Sequence, residues 1–391
     1  MRERESWLDG SLMAGHSGSS RRVAVLFLID ELCQAGGAEK IFVRMIDLLP
    51  RDRFRPLAVT FKLNRAVRMF ADFPCPLRVL PLGKTYNGQA LRTAWTLRRL
   101  LREHQVQIVH SFFETSDLWG GAVSKLSGCP VLVSSRRDMG IQRSRKHRLA
   151  YRLLGPMFDE VQTVSEAVRR YCVVSDGLPL NKVRTVYNGV KLCHCAQSGA
   201  RFNDPGAPVV TTVGHIRKVK GFDVFIRAVA RVCRLFPAAR FQIVGAVQEP
   251  EHFRELQNLC STLRVEENVR FMGPSEDVTS ILGGTDIFCL LSRSEGLSNA
   301  LLEAMAAGLP CVATDVGGNA ELLGAGAGGC LIASGDYEAA ARQLLDLMQD
   351  PERSRRQGLE NQAAVRERFS EAAMMNELVR SYERLLCRCA V

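Results

Sequence analysis

Long apolar runs are missing from this 391-residue sequence. The best of them, residues 23–29, is seven residues long. That suits a strand and falls far short of the roughly 20 residues a bilayer-spanning helix needs. The first twenty residues, MRERESWLDGSLMAGHSGSS, lack the apolar core of a secretory signal. Residues 1–20 are expected to be a flexible tail or a start-site artefact. Paired CxxC spacing is also missing. The 13 cysteines are odd in number, and Cys193-His194-Cys195 and Cys387-Arg388-Cys389 do not have the spacing of a zinc site. Cys289, Cys311 and Cys330 sit in apolar runs and read as small buried hydrophobes in a reducing, cytoplasmic setting. Aromatic residues make up 7% of the chain, and Tyr151 is almost alone in the basic stretch from residue 136 to 152. A nucleic-acid surface with interleaved stacking platforms is therefore disfavoured.

What the chain does have is length for two domains and an uneven charge. Residues 1–200 carry 31 Lys+Arg against 17 Asp+Glu, whereas residues 201–391 carry 21 against 24. The whole positive excess lies in the first half, densest at Arg136, Arg137, Arg143, Arg145, Lys146, Arg148 and Arg152. Such a surface suits an anionic membrane, an acidic substrate or a nucleic acid. Strand-sized apolar runs fall at residues 23–29, 57–61, 77–80, 108–111, 131–134, 160–164 and 183–187. They recur at 209–213, 241–244, 269–272, 287–291, 311–314 and 329–332, with amphipathic segments between. Two strand–helix series predict two parallel-sheet α/β domains, joined at the Ser-, Gly-, Asn-, Asp- and Pro-rich stretch 191–208. Residues 361–389 read as one long amphipathic helix.

The most informative stretch is SRSEGLSNALLEAMAAGLPCVATDVGG, residues 292–318. Glu295 precedes a helix, Gly296 and Leu297 lead into it, and Ser298 or Asn299 supplies its N-cap. Glu303 lies about one turn inside. A helix start with small capping residues favours an anion, and the two carboxylates can accept from sugar or ribose hydroxyls. The combination fits a nucleotide-sugar. A second stretch, TVGHIRKVKGFD at residues 212–223, follows a strand and opens a helix. Gly214 and Gly221 permit a tight loop, and Arg217 and Lys220 place two cations beside it. A third, Gly36-Gly37-Ala38-Glu39, lies between a strand and a helix and lets backbone approach a ligand.

Together these motifs resemble the signature of glycosyltransferase family 4, the glycosyl transferases group 1, over roughly residues 22–385. Val164-Ser165-Glu166-Ala167, Asn188-Gly189-Val190 and Phe271-Met272-Gly273 add to the likeness. The resemblance implies a GT-B fold: two Rossmann-like domains facing across a cleft. Residues 21–190 would form the acceptor domain and 209–370 the nucleotide-sugar domain. A helix over 371–391 would return to the first domain. It implies a retaining transferase that moves a sugar from a nucleotide diphosphate sugar to an acceptor hydroxyl. Arg217 and Lys220 would neutralise the diphosphate, with Glu295 at the reacting sugar and Glu303 at the ribose. Gly36, Gly37, Gly214, Val278, Gly296, Leu297, Ser298 and Asn299 would complete the donor site. No cofactor and no essential metal are expected, because no Asp-x-Asp loop accompanies these motifs and front-face substitution needs no protein base.

The chain departs from the family in several places: Lys191 replaces the usual acidic residue after Asn188-Gly189-Val190, and Ser134-Ser135-Arg136-Arg137-Asp138 lacks the His that many relatives carry after the fifth strand. His215 stands where Arg usually follows the first Gly, so Arg217 is matched to a later Arg of a variant form. Where many relatives carry His-x-His after the fourth strand, this chain reads His110-Ser111-Phe112-Phe113-Glu114. His110, Glu114, Arg136 and Asp138 are left as candidates to meet the sugar, although a lone His is often a core residue. The expected partners are the donor and a sugar, lipid-linked or other acceptor, with an anionic membrane surface and without nucleic acid. A nucleotide-sugar epimerase or hydrolase on the same fold, and a basic nucleic-acid-binding protein, are the competing readings.

Overall fold

A computed structural model describes residues 22–33, 36–64, 70, 72–140, 143–192, 204, 206–324 and 329–389, apart from the side chain of Arg145. The expected tail, Cys193-His194-Cys195 and most of the 191–208 linker lie outside the described residues. The chain divides into two compact units, Met1–Tyr187 with Met374–Val391, and Asn188–Ala373. Residues 188–190, placed by the sequence in the first domain, thus group with the second.

The first unit holds β1 (Val23–Leu32), β2 (Phe54–Leu63), β3 (Leu77–Val79), β4 (Ile108–Phe112), β5 (Val131–Arg136), β6 (Glu160–Thr163) and β7 (Val183–Thr185). Its sheet is parallel, in the order β3-β2-β1-β4-β5-β6-β7. The second unit holds β8 (Val209–Val213), β9 (Arg240–Val244), β10 (Val269–Gly273), β11 (Ile287–Leu290), β12 (Cys311–Thr314) and β13 (Gly329–Ile332). Its order is β10-β9-β8-β11-β12-β13, again parallel. Each strand matches an apolar run in the sequence, because a parallel sheet covered on both faces needs continuous Val, Ile and Leu. Two doubly wound parallel sheets are the architecture expected of a GT-B chain.

β1 runs to Leu32, past the apolar residues 23–29, since its polar end still pairs: Glu31 lies in register with Lys62 and Leu32 with Leu63. Phe27 and Ile29 of β1 pack against Phe42 and Met45 of the helix Gly37–Leu48. They also pack with Met374, Leu378, Tyr382 and Leu385 of the helix Glu371–Cys389. Those four recur at helical spacing and form one apolar stripe. Glu160 on β6 accepts from Ser381 and Arg384 and fixes the same helix by its polar side. In the second unit Phe222, Phe225 and Val229 of the helix Phe222–Val232 meet Leu344 and Leu347 of the helix Tyr337–Gln349.

The long helix expected over residues 361–389 is two helices, Pro351–Arg368 and Glu371–Cys389. The break has a local cause. Ser370 pairs with Val190, Val190 N–H donates to Phe369 O at 2.9 Å, and Glu371 N–H donates to Val190 O at 3.3 Å. A side chain on Gly189 would stand 2.6 Å from Glu371 Cα, so only glycine lets the two segments lie this close.

Candidate functional site

In an open parallel sheet the loops beyond the strand ends diverge where the strand order reverses, and ligands bind there. In the second unit that point lies between β8 and β11. The loop after β8 carries Arg217 and Lys220, and the loop after β11 carries Glu295.

The β8 loop leaves the sheet at Gly214, whose N–H donates to Val244 O at 2.9 Å. Buried Ile216 anchors it through a bridge to Val247. Lys218–Lys220 then form a single 3-10 turn, and Gly221, at φ 66°, opens the helix Phe222–Val232. A side chain at Gly221 would be strained by that φ and would stand 2.0 Å from Leu291 O. The aliphatic stem of Lys220 runs over Gly214, where an added Cβ would sit 3.4 Å from its Cδ. Lys220 is thereby aimed at the β11 loop.

Glu295 receives it. Glu295 Oε1 accepts from Lys220 Nζ at 2.7 Å and from Ser292 Oγ at 2.7 Å. The two charged side chains are 23% and 10% exposed, so the pair is shielded and yet open to a ligand. Ser292 is fixed in turn by Thr314, whose hydroxyl donates to Ser292 O at 2.6 Å. Gly317, at φ 55°, presses on the backbone of Glu295, and Gly318 N–H donates to Gly296 O at 3.0 Å. The GG ending of the 292–318 stretch therefore shapes the Glu295 loop. Of the two capping candidates it is Ser298 that caps the helix Asn299–Ala306, accepting from Leu301 N–H at 3.2 Å. Asn299 instead accepts from Asn188 Nδ2 at 2.6 Å. Gly296 and Leu297 are buried beneath the helix start, and Glu303 lies half-buried inside the helix.

Arg217 lies 3.9 Å from Glu249, which also accepts from the Lys218 N–H at 2.8 Å. Val278 begins a short helix capped by Asp277, with Ser280 N–H donating to Asp277 Oδ1 at 2.9 Å. Two site residues had no signal as such in the sequence. Arg293 forks onto Asp223 through Nη1 to Oδ1 at 2.9 Å and Nη2 to Oδ2 at 2.7 Å. Burial pushes the Asp223 carboxyl up, but the Arg293 guanidinium outweighs it and holds the pKa below the ordinary value.

The first-unit candidates separate into two groups. Gly36 caps the helix Gly37–Leu48 in extended backbone, and Glu39 folds back over it: a Cβ on Gly36 would stand 2.4 Å from Glu39 Oε2. Burial raises the pKa of Glu39. Glu114 and Asp138 are accessible but engaged. Arg143 lies 3.3 Å from Glu114, 4.0 Å from Asp138 and 3.0 Å from Asp176, and His147 lies 2.9 Å from Glu114.

His110 and Arg136 do not belong with them. His110 is fully buried on β4, stacked on Phe27, with Nδ1 2.6 Å from Tyr382 Oη. Burial pushes its pKa down to about 3, and Arg137 adds to the shift. It is a neutral core residue, as a lone apolar-strand His commonly is. Arg136 is equally buried, 3.0 Å from Asp117 and stacked over the Tyr151 ring at 3.7 Å. Burial pushes the Asp117 carboxyl up to about 6, with Arg136 pulling the other way. Arg136 and Arg143 are thus interior cations matched by interior carboxylates. Among the described side chains of the basic cluster, Lys146, Arg148 and Arg152 on the helix Arg145–Leu154 are exposed.

Among the described residues no three His, Cys, Asp or Glu side chains converge on a common point, and no helix is long and apolar enough to cross a membrane.

Two family models match consecutive parts of the chain, glycosyltransferase family 4 over residues 35–193 and glycosyl transferases group 1 over residues 197–364. N-acetyl-alpha-D-glucosaminyl L-malate synthase of Bacillus anthracis is 32% identical over 169 residues, 43% of this chain and 43% of that protein. The matched stretch thus spans less than half of that relative. A UDP-Gal:alpha-D-GlcNAc-diphosphoundecaprenol alpha-1,3-galactosyltransferase of Escherichia coli is 24% identical over 80% of this chain and 85% of its own. Among solved structures, Anabaena Alr3699/HepE in complex with UDP has a TM-score of 0.80 at 20% identity, covering 93% of this chain and 100% of that one. The chain belongs to the glycosyl transferases group 1, glycosyltransferase family 4.

Proposed function

We propose that this protein is a retaining glycosyltransferase that moves a sugar from a nucleotide diphosphate sugar to an acceptor hydroxyl in polysaccharide or glycolipid assembly. The observation that carries this reading is the Lys220–Glu295 pair at 2.7 Å, set at the switch point of the second sheet beside the Ser298-capped helix. When the donor binds, Lys220 and Arg217 turn to the diphosphate and stabilise the charge building on it as it leaves. The positive end of the helix Asn299–Ala306 adds to that field. Glu295, released from Lys220, takes sugar hydroxyls and faces the positive charge developing at the anomeric carbon. Glu303 holds the ribose hydroxyls. The bond from anomeric carbon to phosphate oxygen breaks while the bond to the acceptor oxygen forms on the same face, and the acceptor proton passes to the departing phosphate. No protein base is required.

A uridine donor is favoured by the complexes of the structural neighbour, solved with UDP and with UDP-glucose, and by the UDP-Gal in the name of the E. coli relative. That relative's diphosphoundecaprenol acceptor, and a lipopolysaccharide core glycosyltransferase of Rhizobium meliloti, 33% identical over 152 residues, support a lipid-linked acceptor. The surface of the first unit supports cytoplasmic work at an anionic membrane. Leu149 and Leu153 are 59% and 70% exposed on the helix Arg145–Leu154, among Lys146, Arg148 and Arg152. Leu91 and Trp95 are 75% and 66% exposed on the helix Gly88–Glu103, among Arg92, Arg98 and Arg102. Apolar side chains with a Trp in a basic surround suit a bilayer interface.

A thermal-shift screen over UDP, GDP, ADP and their sugars, followed by transfer assays with the stabilising donor, tests the reading. Stabilisation by one nucleotide and its sugar, with acceptor-dependent release of that nucleotide, is expected. Release of free sugar without an acceptor would assign the chain to the hydrolase or epimerase reading instead. Stabilisation by none of these ligands would remove the donor site from residues 214–303.

A further inference from the structure

Besides the Lys220–Glu295 pair, the loops that carry these two residues are joined at four points, and three of them converge on Arg293, a residue of the 292–318 stretch with no part in the proposed donor contacts. Arg293 N–H donates to Val219 O at 2.7 Å, Arg293 Nη1 donates to Lys218 O at 2.6 Å, and the guanidinium forks onto both oxygens of Asp223. The fourth point is Gly221 against Leu291 O. Lys220 is therefore bracketed: the residue before it is tied to Arg293, and the residue after it is seated on Leu291. The turn that presents Lys220 closes through Lys220 N–H to Arg217 O at 2.9 Å and Gly221 N–H to Lys218 O at 3.3 Å. Arg293 adds a second donor to Lys218 O and supplies the donor to Val219 O.

We propose that Arg293 is a positioning residue that locks the Lys218–Lys220 turn to the Glu295 loop and so sets the place of the Lys220 ammonium. Arginine is required. A planar fork serves a carboxylate and a carbonyl at once, whereas a lysine offers one point charge on a flexible stem. The Arg293 and Asp223 side chains are 42% and 30% exposed, and exposed pairs contribute little to global stability. The effect of Arg293 is accordingly local, on a cation whose displacement by about 1 Å can cost on the order of 100-fold in rate. The kinetic part of this inference rests on the proposed transfer reaction. The structural part does not.

The test uses the full chain with R293A, R293K, K220A and the double variant R293A/K220A. In R293A the amides of Lys220 and Gly221 should exchange with deuterium faster by roughly 10-fold, with the melting temperature within about 3 °C of the parent. Transfer kcat should fall about 10- to 100-fold with donor KM changed less than about 3-fold, and R293K should not restore it. In the K220A background the same change should cost less than about 3-fold, because its target is already gone. Unchanged exchange at Lys220 and Gly221, or a loss of kcat as large in K220A as in the parent, would overturn the proposal. Faster exchange in a chain that transfers no sugar would uphold the lock and remove the transferase reading.

Discussion

Lys220 Nζ and Glu295 Oε1, 75 positions apart in sequence, meet at 2.7 Å on loops from the two strands that flank the reversal of the second sheet. Each neutralises the other. In the proposed reaction a diphosphate would exchange one anion for another on Lys220 and free the carboxylate. Lys220→Ala should therefore lower transfer by on the order of 100-fold, since one donor lost to a developing anion costs roughly 3 kcal/mol. The melting temperature should barely move. Steady-state rates beside a melting curve check both, and near-normal turnover would take Lys220 out of the mechanism.

Glu303→Gln keeps size and removes charge from a half-buried helix position. Donor and free nucleotide should weaken together by roughly 10-fold, as expected of a hydrogen bond to a charged group. Calorimetric titration with both ligands reads this. Intact nucleotide affinity with collapsed turnover would exchange the roles of Glu295 and Glu303.

In the proposed reaction Arg217 and Lys220 would take the place that a divalent ion has in metal-dependent transferases. Transfer after exhaustive EDTA treatment should stay within about 2-fold of the untreated rate, a change worth less than about 0.5 kcal/mol of barrier. A loss restored by Mg²⁺ or Mn²⁺ would contradict this.

His110 gives a pH dependence of stability. Its folded pKa is depressed to about 3 by burial, below the ordinary 6.5. The unfolded chain then binds the extra proton first. Stability is fully present above about pH 6.5 and declines as pH falls towards 3, by about 2 kcal/mol at pH 5 from this group. Urea titrations at pH 7 and pH 5, compared with His110→Gln, should show that part of the slope vanish. An unchanged slope would place the acid sensitivity elsewhere.

For the proposed membrane face, Arg136 and Arg143 drop out of the basic cluster as interior residues, and Lys146, Arg148 and Arg152 stay exposed. Each exposed basic side chain near an anionic leaflet contributes about 1 kcal/mol, fading beyond a Debye length. Changing these three to Gln should reduce co-sedimentation with phosphatidylserine vesicles at low salt by about 10-fold or more. Leu149→Asn with Leu153→Asn should weaken it without altering its salt dependence. Equal sedimentation with neutral and anionic vesicles would leave the basic cluster as a solvated face, and none with either at low salt would point to a soluble acceptor.

The fold was readable because each buried parallel strand must be an apolar run, and each of the thirteen runs became a strand among the described residues. The Lys220 and Glu295 loops were readable because glycine is needed where backbone meets backbone, at Gly221 and Gly317. Charge partners were not. Nothing local to Arg136 reveals that Asp117, 19 positions earlier, will sit 3.0 Å away inside the core. Arg293 and Asp223 lie 70 positions apart and meet only through strand order. Likewise His110 looked available until a tyrosine 272 positions later closed over it.

The helix Glu371–Cys389 has a consequence for how the chain comes off the ribosome. Leu378, Tyr382 and Leu385 complete a core begun by β1, yet they are made only after the whole Asn188–Ala373 unit. At about 5–20 residues per second that delay lasts roughly 10–40 s. Through it Phe27, Phe42 and Met45 await their cover. The first unit is thus begun before the second and finished after it, and until then its core stands open on the face that the helix will cover.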